Sequence, residues 1–579
     1  MPINNDNHVE LQERISAIHS NTLLNDDKQQ DGVYKSLDDL ESADNDGALV
    51  EGGALDLFSR EAAGLFMQYA AIGVIYGMIP ALKYPVFNVY LNLEGYQTAS
   101  YGVLVWLGWS FKVVFGMISD CFPIFGYRRK SWMLVGWSIT LVCLAIMSFK
   151  SFGEPFCNRE KTDYCDKPLE KVPKEELQYF NFDAANNGTL FILLSMFVSF
   201  GYVLSDCAAD AMVVEYAQRE PVAIRGRTQT SIYIVRTITG IFAYTITAFG
   251  LNGPNYNGSF TFAMSPNVPY MVCLIVSILV CLSTVFLVVE KKSEGASFGK
   301  WLVTFWDLLQ NRATWQVASF KFISTCFQGI DTTAGNPMAT YWAKVETLND
   351  SLSSVFGNII YAIILGVVAK WGLNWNWRWT IALGTIGVVV IDSFVNFLTI
   401  WDVVRNQWFY TGVALANNIP DGVRFIVATY CAVEIAEPGT EGATYGLIST
   451  VTNLSSPFAS MLYKYIDSFF KVSQNDIKSD TNEVRWDVTY VYLISYACKL
   501  SSLAWLWMLP PQKKEIQELK ARGGKSKLAG VIFVTLLVLC ITFSVSTSIM
   551  SIYPSTKCYR IAGGNGVLDP NTGKCPMFK

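Results

Sequence analysis

The fold is decided by two stretches that echo each other, Val214-Glu215-Tyr216-Ala217-Gln218-Arg219-Glu220-Pro221 and Val433-Glu434-Ile435-Ala436-Glu437-Pro438. Each is followed by a Gly-containing run, Arg225-Gly226-Arg227-Thr228 and Glu441-Gly442-Ala443-Thr444. Both hairpins lie between the fourth and fifth apolar segment of a set of six. A repeat at equivalent positions indicates two duplicated six-helix halves, an architecture in which a central site lies between the halves.

The apolar segments are long enough to cross a membrane, because a bilayer core of about 30 Å needs roughly 20 helical residues. The sequence predicts twelve such segments in two sets of six, and a thirteenth after a charged connector. They are residues 62–82, 99–118, 131–149, 189–207, 231–251, 269–289, 315–335, 353–371, 379–401, 408–430, 443–463, 489–509 and 528–553.

These segments predict an all-α polytopic membrane protein with two pseudo-symmetric halves and an additional C-terminal helix. The predicted boundaries are a disordered acidic tail (1–60), a first half (61–289), a connector (290–314), a second half (315–509), a charged connector (510–527), the thirteenth helix (528–553) and a tail (554–579).

Composition excludes several classes of protein. The chain has 579 residues, of which 51% are hydrophobic and 16% charged, with a mean hydropathy of +0.28; soluble domains carry about 25% charged residues. Its two histidines, His8 and His19, lie in the polar N-terminal tail. A soluble enzyme and a His-based catalytic or metal site are therefore excluded, and we expect no cofactor. No basic block suggests a nucleic acid partner.

Orientation follows from three sequence signals. The short connectors at 128–130, 219–227, 291–312 and 513–527 are basic, which favours the cytosolic side and a cytosolic N-terminus. Three glycosylation sequons, at Asn187, Asn257 and Asn349, fall on the other side, although such sequons also arise by chance and Asn187 lies too near the bilayer to be a good acceptor. Two cysteine pairs, Cys157/Cys165 and Cys558/Cys575, share that side, where disulfides form. We expect the plasma membrane.

Charged residues inside the segments are the candidates for function, because burying them in a membrane is costly. At a rise of 1.5 Å per residue, Lys112, Asp206 and Arg236 share one layer. The cations could bind an anionic substrate, or the three could form a structural charge cluster. Both interpretations stay open.

A second group, Asp392, Asp421, Arg424 and Lys499, lies nearer the middle of the membrane, and Asp421 and Arg424 share a helical face. Lys499 could instead extend to the membrane interface. We expect this group to handle substrate or protons. Because the apolar segments contain no histidine, protons would be carried by Asp206, Asp392 or Asp421.

The junction of segments two and three reads Gly116-Met-Ile-Ser-Asp120-Cys-Phe-Pro123-Ile-Phe-Gly126-Tyr-Arg128-Arg129-Lys130. It resembles the Gly…Asp…Gly-x-Arg-Arg loop of the major facilitator superfamily, with the extra residues 121–125 between the acid and the glycine. The resemblance implies a major facilitator fold and a gating role for a small set of charged residues, namely Asp120, Arg128 and Arg129, joined by Glu215, Arg227 and Glu434 of the echoed hairpins.

A narrower pattern joins this loop to Asp206, Asp210, 213–215 and 225–236, and it resembles the folate–biopterin transporter family of protozoan parasites, oomycetes and plants. The resemblance implies proton-coupled transport of a folate, a pterin or a related solute by a monomer in a lipid bilayer. Its candidate pathway residues are Lys112, Asp206, Asp210 and Arg236. Two alternatives stay open: transport of another small organic solute, and a non-transporting receptor with the same fold.

Overall fold

The computed structural model describes residues 52–221, 227–371, 375–417, 419, 422, 441–570 and 575–576, and their regular structure is helical. Of the two echoed stretches, the second therefore lies outside the described residues. Helix α1 continues beyond Pro80 as a π-helical turn, Lys83–Tyr90. The first-half helices are α1 (Arg60–Ala81), α2 (Gly95–Trp106), α3 (Lys112–Cys121), α4 (Lys130–Phe149), α5 (Ala184–Gln218), α6 (Arg227–Gly250) and α7 (Val268–Phe286).

The remaining helices follow a connector that contains one helix of its own. They are α8 (Phe298–Gln310) in the connector, then α9 (Arg312–Gln328), α10 (Gly335–Tyr341), α11 (Thr347–Trp371), α12 (Trp377–Ile400), α13 (Gln407–Ala414), α14 (Glu441–Asp467), α15 (Gln474–Ser479), α16 (Asn482–Ser501), α17 (Lys513–Arg522) and α18 (Lys527–Ile552). Helix α18 matches the predicted thirteenth segment.

Eight helical stretches in the described part of the chain are long and apolar enough to cross a membrane. They are Arg60–Tyr90, Gly95–Cys121, Lys130–Phe149, Ala184–Tyr216, Arg227–Gly250, Val268–Phe286, Trp377–Ile400 and Lys527–Ile552. The other predicted segments coincide with α9, α11, α13, α14 and α16, which are shorter or carry more polar side chains. The count of thirteen and its domain boundaries stay predictions.

The first half is held together by close helix crossings. At the crossing of α1 and α6, a Cβ on Gly73 would overlap the Thr239 hydroxyl and the Arg236 carbonyl. At the crossing of α4 and α5, Gly136 and Gly201 face each other in the same way. These glycines let the backbones approach, as small residues do between membrane helices, and Gly73 thereby fixes the helix that carries Arg236.

We expect Gly73→Val to destabilise the protein by about 1–3 kcal/mol, because overpacking forces the two backbones apart. The melting temperature of the detergent-purified protein measures this. Gly102→Val is the matched control, since nothing lies within 4 Å of a Cβ at Gly102. Equal melting temperatures for the two variants would contradict the close crossing.

The two halves meet on the face that carries both disulfides, Cys157–Cys165 and Cys558–Cys575, which we call the disulfide face. There the Asn88 amide donates to the Thr340 hydroxyl at 2.7 Å, and the Tyr341 hydroxyl donates to Asn92 at 2.8 Å. A Cβ on Gly95 would overlap the Thr333 carbonyl of the second half. The halves are therefore closed against each other here. The opposite face, which carries the connector, is called the connector face.

Glu94 makes this closure dependent on pH. Its carboxylate lies outside the membrane-spanning helices and accepts a hydrogen bond from the Gln474 backbone N–H at 2.8 Å, across the two halves. Burial raises the pKa of Glu94 to about 7, whereas burial lowers that of nearby Lys478 only to about 8. The closed state therefore binds the Glu94 proton more tightly than an open, hydrated state would.

We expect acid to stabilise closure of the disulfide face. Protonated Glu94 contributes its full stabilisation of the closed state below the ordinary carboxyl pKa of about 4.3, and this stabilisation is lost as the pH rises through about 7. Distances between spin labels at Lys171→Cys and Lys471→Cys, one on each half, should lengthen between pH 5 and pH 8. Glu94→Gln should shrink this pH response; an unchanged response in that variant would contradict the assignment.

Candidate functional site

Lys112 lies between two carboxylates in the first half. Its Nζ is 2.8 Å from Asp206 Oδ2 and 2.8 Å from Asp210 Oδ2. The two aspartates are four residues apart on α5, so they share one helical face. The Tyr69 hydroxyl donates to Asp210 Oδ1 at 2.5 Å. The Asp206 side chain is 1% exposed and that of Asp210 is 27% exposed, so Asp210 is the accessible carboxylate of the pair.

Arg236 lies on a surface of aromatic rings. Its guanidinium carbon is 4.7 Å from the Tyr76 ring centre, 5.6 Å from that of Trp109 and 6.0 Å from that of Tyr233. Lys112 Nζ is 4.8 Å from the same Trp109 ring, which thus contacts both cations. Within the described residues, Arg236 has no ion pair at 4.0 Å or less, in contrast to Lys112. Its guanidinium therefore contacts aromatic faces and, in that part of the chain, no carboxylate.

A break in the second transmembrane segment positions these groups. Between α2 and α3 the chain forms a 3₁₀ turn, Leu107–Phe111. Gly108 allows this turn to approach α5, where its N–H donates to the Ser199 hydroxyl at 3.2 Å. The turn also touches the second half, because the Asn453 amide donates to the Trp109 carbonyl at 3.2 Å. The site is thus built on an interrupted helix at the junction of the two halves, where binding sites of transporters are commonly formed.

The predicted gating residues form a compact ionic cluster on the connector face. Arg129 Nη1 is 2.6 Å from Asp120 Oδ1 and donates to the Ser119 hydroxyl at 2.8 Å, and its Nε is 3.6 Å from Glu215. Arg227 instead donates to the Leu55 carbonyl at 2.7 Å. The predicted members Asp120, Arg129 and Glu215 are thereby brought together within the first half.

Glu290, the first residue of the connector, was not predicted as a functional residue. Its carboxylate accepts hydrogen bonds from the backbone N–H groups of Arg128, Arg129 and Lys130 at 2.7–2.9 Å. A carboxylate at this position satisfies donors that a helix start leaves unpaired. Further along the connector, the Ala296 N–H donates to the Asp120 carbonyl at 2.9 Å. Arg128 thus contributes through its backbone.

The extra residues 121–125 of the loop have a structural explanation. Ile124 and Tyr127 exchange backbone hydrogen bonds of 3.1 and 3.0 Å, and the two residues between them have positive φ, Phe125 at 55° and Gly126 at 83°. Positive φ at both central positions is the geometry of a tight I′ hairpin turn. The insertion therefore closes a small hairpin between α3 and α4.

Other predicted site residues lie elsewhere. Asp392 on α12 accepts a hydrogen bond from the Tyr496 hydroxyl on α16 at 2.9 Å, within the second half. The structure argues against Asn349 as a glycosylation acceptor, because the residue is 4% exposed and its side-chain oxygen Oδ1 accepts a hydrogen bond from the Thr411 hydroxyl at 2.8 Å. Asn257 is half-buried, and its amide donates to the Val345 carbonyl. Asp421, Arg424 and Glu434 lie outside the described residues.

Sequence reasoning missed the aromatic part of the site. Tyr69, Tyr76 and Tyr202 come from helices α1 and α5, and nothing in their local sequence points to the charges. For the other two rings a signal exists: Trp109 precedes Lys112 by three residues, and Tyr233 precedes Arg236 by three. Residues at this spacing are neighbours on one face of a helix.

Comparison with solved structures shows the fold. A D-xylose-proton symporter aligns with a TM-score of 0.50 and 14% identity over 79% of this chain and 97% of its own. A POT family transporter in complex with a thioalcohol conjugated peptide gives 0.50 and 12%, over 76% and 96%. This is the major facilitator fold predicted from the sequence, and together with the eight membrane-length helices of the described residues it indicates an integral membrane protein.

Sequence comparison finds one family model and two relatives that this chain resembles. Residues 73–152 match the model of the BT1 family. The folate-biopterin transporter of Synechocystis sp. is 21% identical over 453 residues, covering 73% of this chain and 78% of that relative. Folate transporter 1 of Plasmodium falciparum is 37% identical over 65 residues, 9% of this chain and 13% of its own. The chain is thus similar to members of the folate–biopterin transporter family, which agrees with the resemblance that the motifs carry.

Proposed function

We propose that this protein moves a folate, a pterin or a related organic solute across the membrane by alternating access around Lys112, Asp206, Asp210 and Arg236. The observation that carries the proposal is Arg236, a cation on three aromatic rings with no carboxylate in contact among the described residues. The names of the two relatives support the substrate class.

The chemistry of the site suits such a solute. The planar guanidinium of Arg236 can bind a substrate carboxylate through two parallel hydrogen bonds. A flat pterin can stack on the aromatic rings beside it, and its amino and ring N–H groups can donate to Asp210, the more exposed carboxylate. A folate carries both the carboxylates and the pterin, so it can use both parts of the site.

Proton coupling follows from the balance of charge. Lys112 and Arg236 carry two positive charges, and Asp206 and Asp210 carry two negative charges, so the empty site is neutral. Each negative charge of an anionic substrate makes the site more negative, and protonation of an aspartate offsets one such charge, which favours binding a proton together with the anion. We therefore assign coupling to the Asp206/Asp210 pair. Asp392 and Asp421 remain candidates in the second half.

Orientation and location complete the proposal. The disulfide face points away from the cytosol, because disulfides persist in the oxidising space outside the cell. The N-terminus lies in the cytosol, and the protein lies in the plasma membrane. Asn257 is the remaining candidate for glycosylation. Asp120, Arg129 and Glu215 form the gating latch on the cytosolic side, joined by Arg128, Arg227 and Glu434, and the protein acts as a monomer.

Uptake of radiolabelled folate and biopterin into a transport-deficient cell, with and without a proton gradient, tests the proposal. We expect saturable uptake that falls when the gradient is collapsed. Surface-expressed protein that takes up no member of a broad folate and pterin panel would refute the substrate class. Saturable binding without uptake would indicate a receptor.

A further inference from the structure

The thirteenth helix, α18, is attached to the start of the second half on the connector face. The Ser526 N–H donates to the Gln310 carbonyl at 2.9 Å, and the Arg312 N–H donates to the Gly524 carbonyl at 3.0 Å. Lys525 Nζ lies 3.4 Å from Asp307. From there α18 packs along α14 of the second half. One end of the helix is thus anchored to the connector helix and to α9.

On the disulfide face the same helix and its tail contact the first half. The Gln97 amide donates to the Ser551 carbonyl at 3.2 Å, and the Thr189 hydroxyl donates to the Ile552 carbonyl at 2.8 Å. Beyond the helix, Lys557 Nζ donates to Asn186 at 3.1 Å. Helix α18 also packs along α2, and Ile552 belongs to the apolar core of the first half, so this contact combines buried apolar packing with hydrogen bonds.

The tail also binds the second half on this face. Arg560 donates to the Ser468 carbonyl at 2.6 Å, and its guanidinium carbon is 4.4 Å from the Phe469 ring centre. The Cys558–Cys575 disulfide closes the tail into a loop around these contacts. A Cβ on Gly563 would press against both Tyr96 and Lys464, so the tail fills the seam between the halves.

Lys464 is the centre of this junction. It is fully buried, and its Nζ donates to the Ser100 hydroxyl of the first half at 2.8 Å and to the Ser551 hydroxyl of α18 at 3.3 Å. In the described residues it forms no ion pair at 4.0 Å or less. A buried ammonium held by hydroxyls alone keeps much of its desolvation cost, so opening of the seam to water would hydrate it.

We propose that α18 and its tail, residues 527–566, form a strap that closes the disulfide face, moves with the second half, and releases the first half when that face opens. The anchor on the connector face, the packing on α14 and the Arg560 contacts fix the strap to the second half. The packing on α2 and the bonds to Gln97, Thr189, Asn186 and Ser100 are the contacts that break when the disulfide face opens. The inference rests on the alternating access of the proposed function, but on no particular substrate.

Cross-linking yields test the strap without any substrate. A short bismaleimide is used to cross-link three cysteine pairs, and their yields are compared. The first-half pair, Asn186→Cys/Lys557→Cys, joins the strap to the first half, and the second-half pair, Ser468→Cys/Arg560→Cys, joins it to the second half. The direct pair, Leu169→Cys/Asn475→Cys, joins the two halves to each other. Each pair is made in the protein with Gly95 intact and in the Gly95→Leu variant. The leucine side chain would push α2 away from Thr333 and so open the disulfide face. The single-cysteine variants set the background.

In the Gly95→Leu background we expect at least a fivefold fall in yield for the first-half pair and the direct pair, and less than a twofold change for the second-half pair. The strap proposal is overturned if the first-half pair keeps its yield while the yield of the direct pair falls, or if the yield of the second-half pair falls.

If Gly95→Leu fails to fold, the same cross-links are made in cells in the protein with Gly95 intact, and uptake is measured. The first-half cross-link should stop uptake and the second-half cross-link should spare it, and equal effects overturn the strap. Absence of folate or pterin uptake before cross-linking would instead count against the substrate class.

Discussion

Lys112→Met is expected to abolish uptake and to lower the free energy of unfolding by about 3–5 kcal/mol, because removing one partner of a buried ion pair leaves an uncompensated charge. Here two carboxylates depend on one ammonium, and the Asp206 side chain is only 1% exposed. Loss of surface expression and a lowered melting temperature of the purified protein would measure the effect. No single substitution in the first half is expected to do more harm.

The double variant Lys112→Met/Asp206→Asn separates folding from function. It removes one charge of each sign, so we expect most of the stability to return while uptake stays absent. Lys471→Met is the control for removing a lysine, since Lys471 pairs with Glu483 at an exposed site where an ion pair contributes little. A Lys112→Met protein as stable as the wild type would show that the two aspartates do not depend on Lys112.

Arg236→Gln is expected to reduce folate uptake by roughly 10- to 100-fold, since a hydrogen bond to a charged group contributes about 1.5–3 kcal/mol. Biopterin, which has a pterin ring but no carboxylate, should lose less than about fivefold, because its stacking surface on Trp109 and Tyr76 remains. Initial uptake rates of the two labelled compounds in the same cells give the comparison.

Arg236→Lys provides the matched control. It retains the charge but loses the planar fork and much of the stacking on the rings, so folate uptake should fall between that of the wild type and that of Arg236→Gln. An equal loss of folate and biopterin uptake in Arg236→Gln would refute the assignment of Arg236 to a substrate carboxylate and would favour a structural role for the residue.

The fold and the family could be predicted because they depend on signals that are local in sequence. Long apolar segments, an echoed hairpin and the Gly116–Lys130 loop together were sufficient; the comparisons confirm the fold, and the relatives they find agree with the family resemblance. The rise of a helix also predicted one layer for Lys112, Asp206 and Arg236, and the structure brings Lys112 to 2.8 Å from Asp206. Their roles in transport remain predictions.

What the sequence could not supply was the rotation of one helix against another. That rotation decides that Lys112 pairs with both aspartates while Arg236 faces aromatic rings, and that Asn349 is buried although its sequon is intact. The 3₁₀ turn at Leu107–Phe111 was also missed, because the apolar pattern continues through it. Such features depend on contacts between residues far apart in the chain, such as Gly108 with Ser199.

The bonds of Glu290 and Ala296 have a mechanical consequence for the connector. Because both residues are fastened to the α3–α4 loop, little free chain remains before helix α8 begins at Phe298. Helix α8, about 20 Å long at 1.5 Å per residue, then meets α9 at a single residue, Asn311, whose side chain caps α9. The halves are therefore joined by a stiff helix rather than by a flexible linker, and the hydrogen bonds of Gly524 and Ser526 on either side of Asn311 hold that helix to the second half. A rotation of one half must therefore be transmitted through α8.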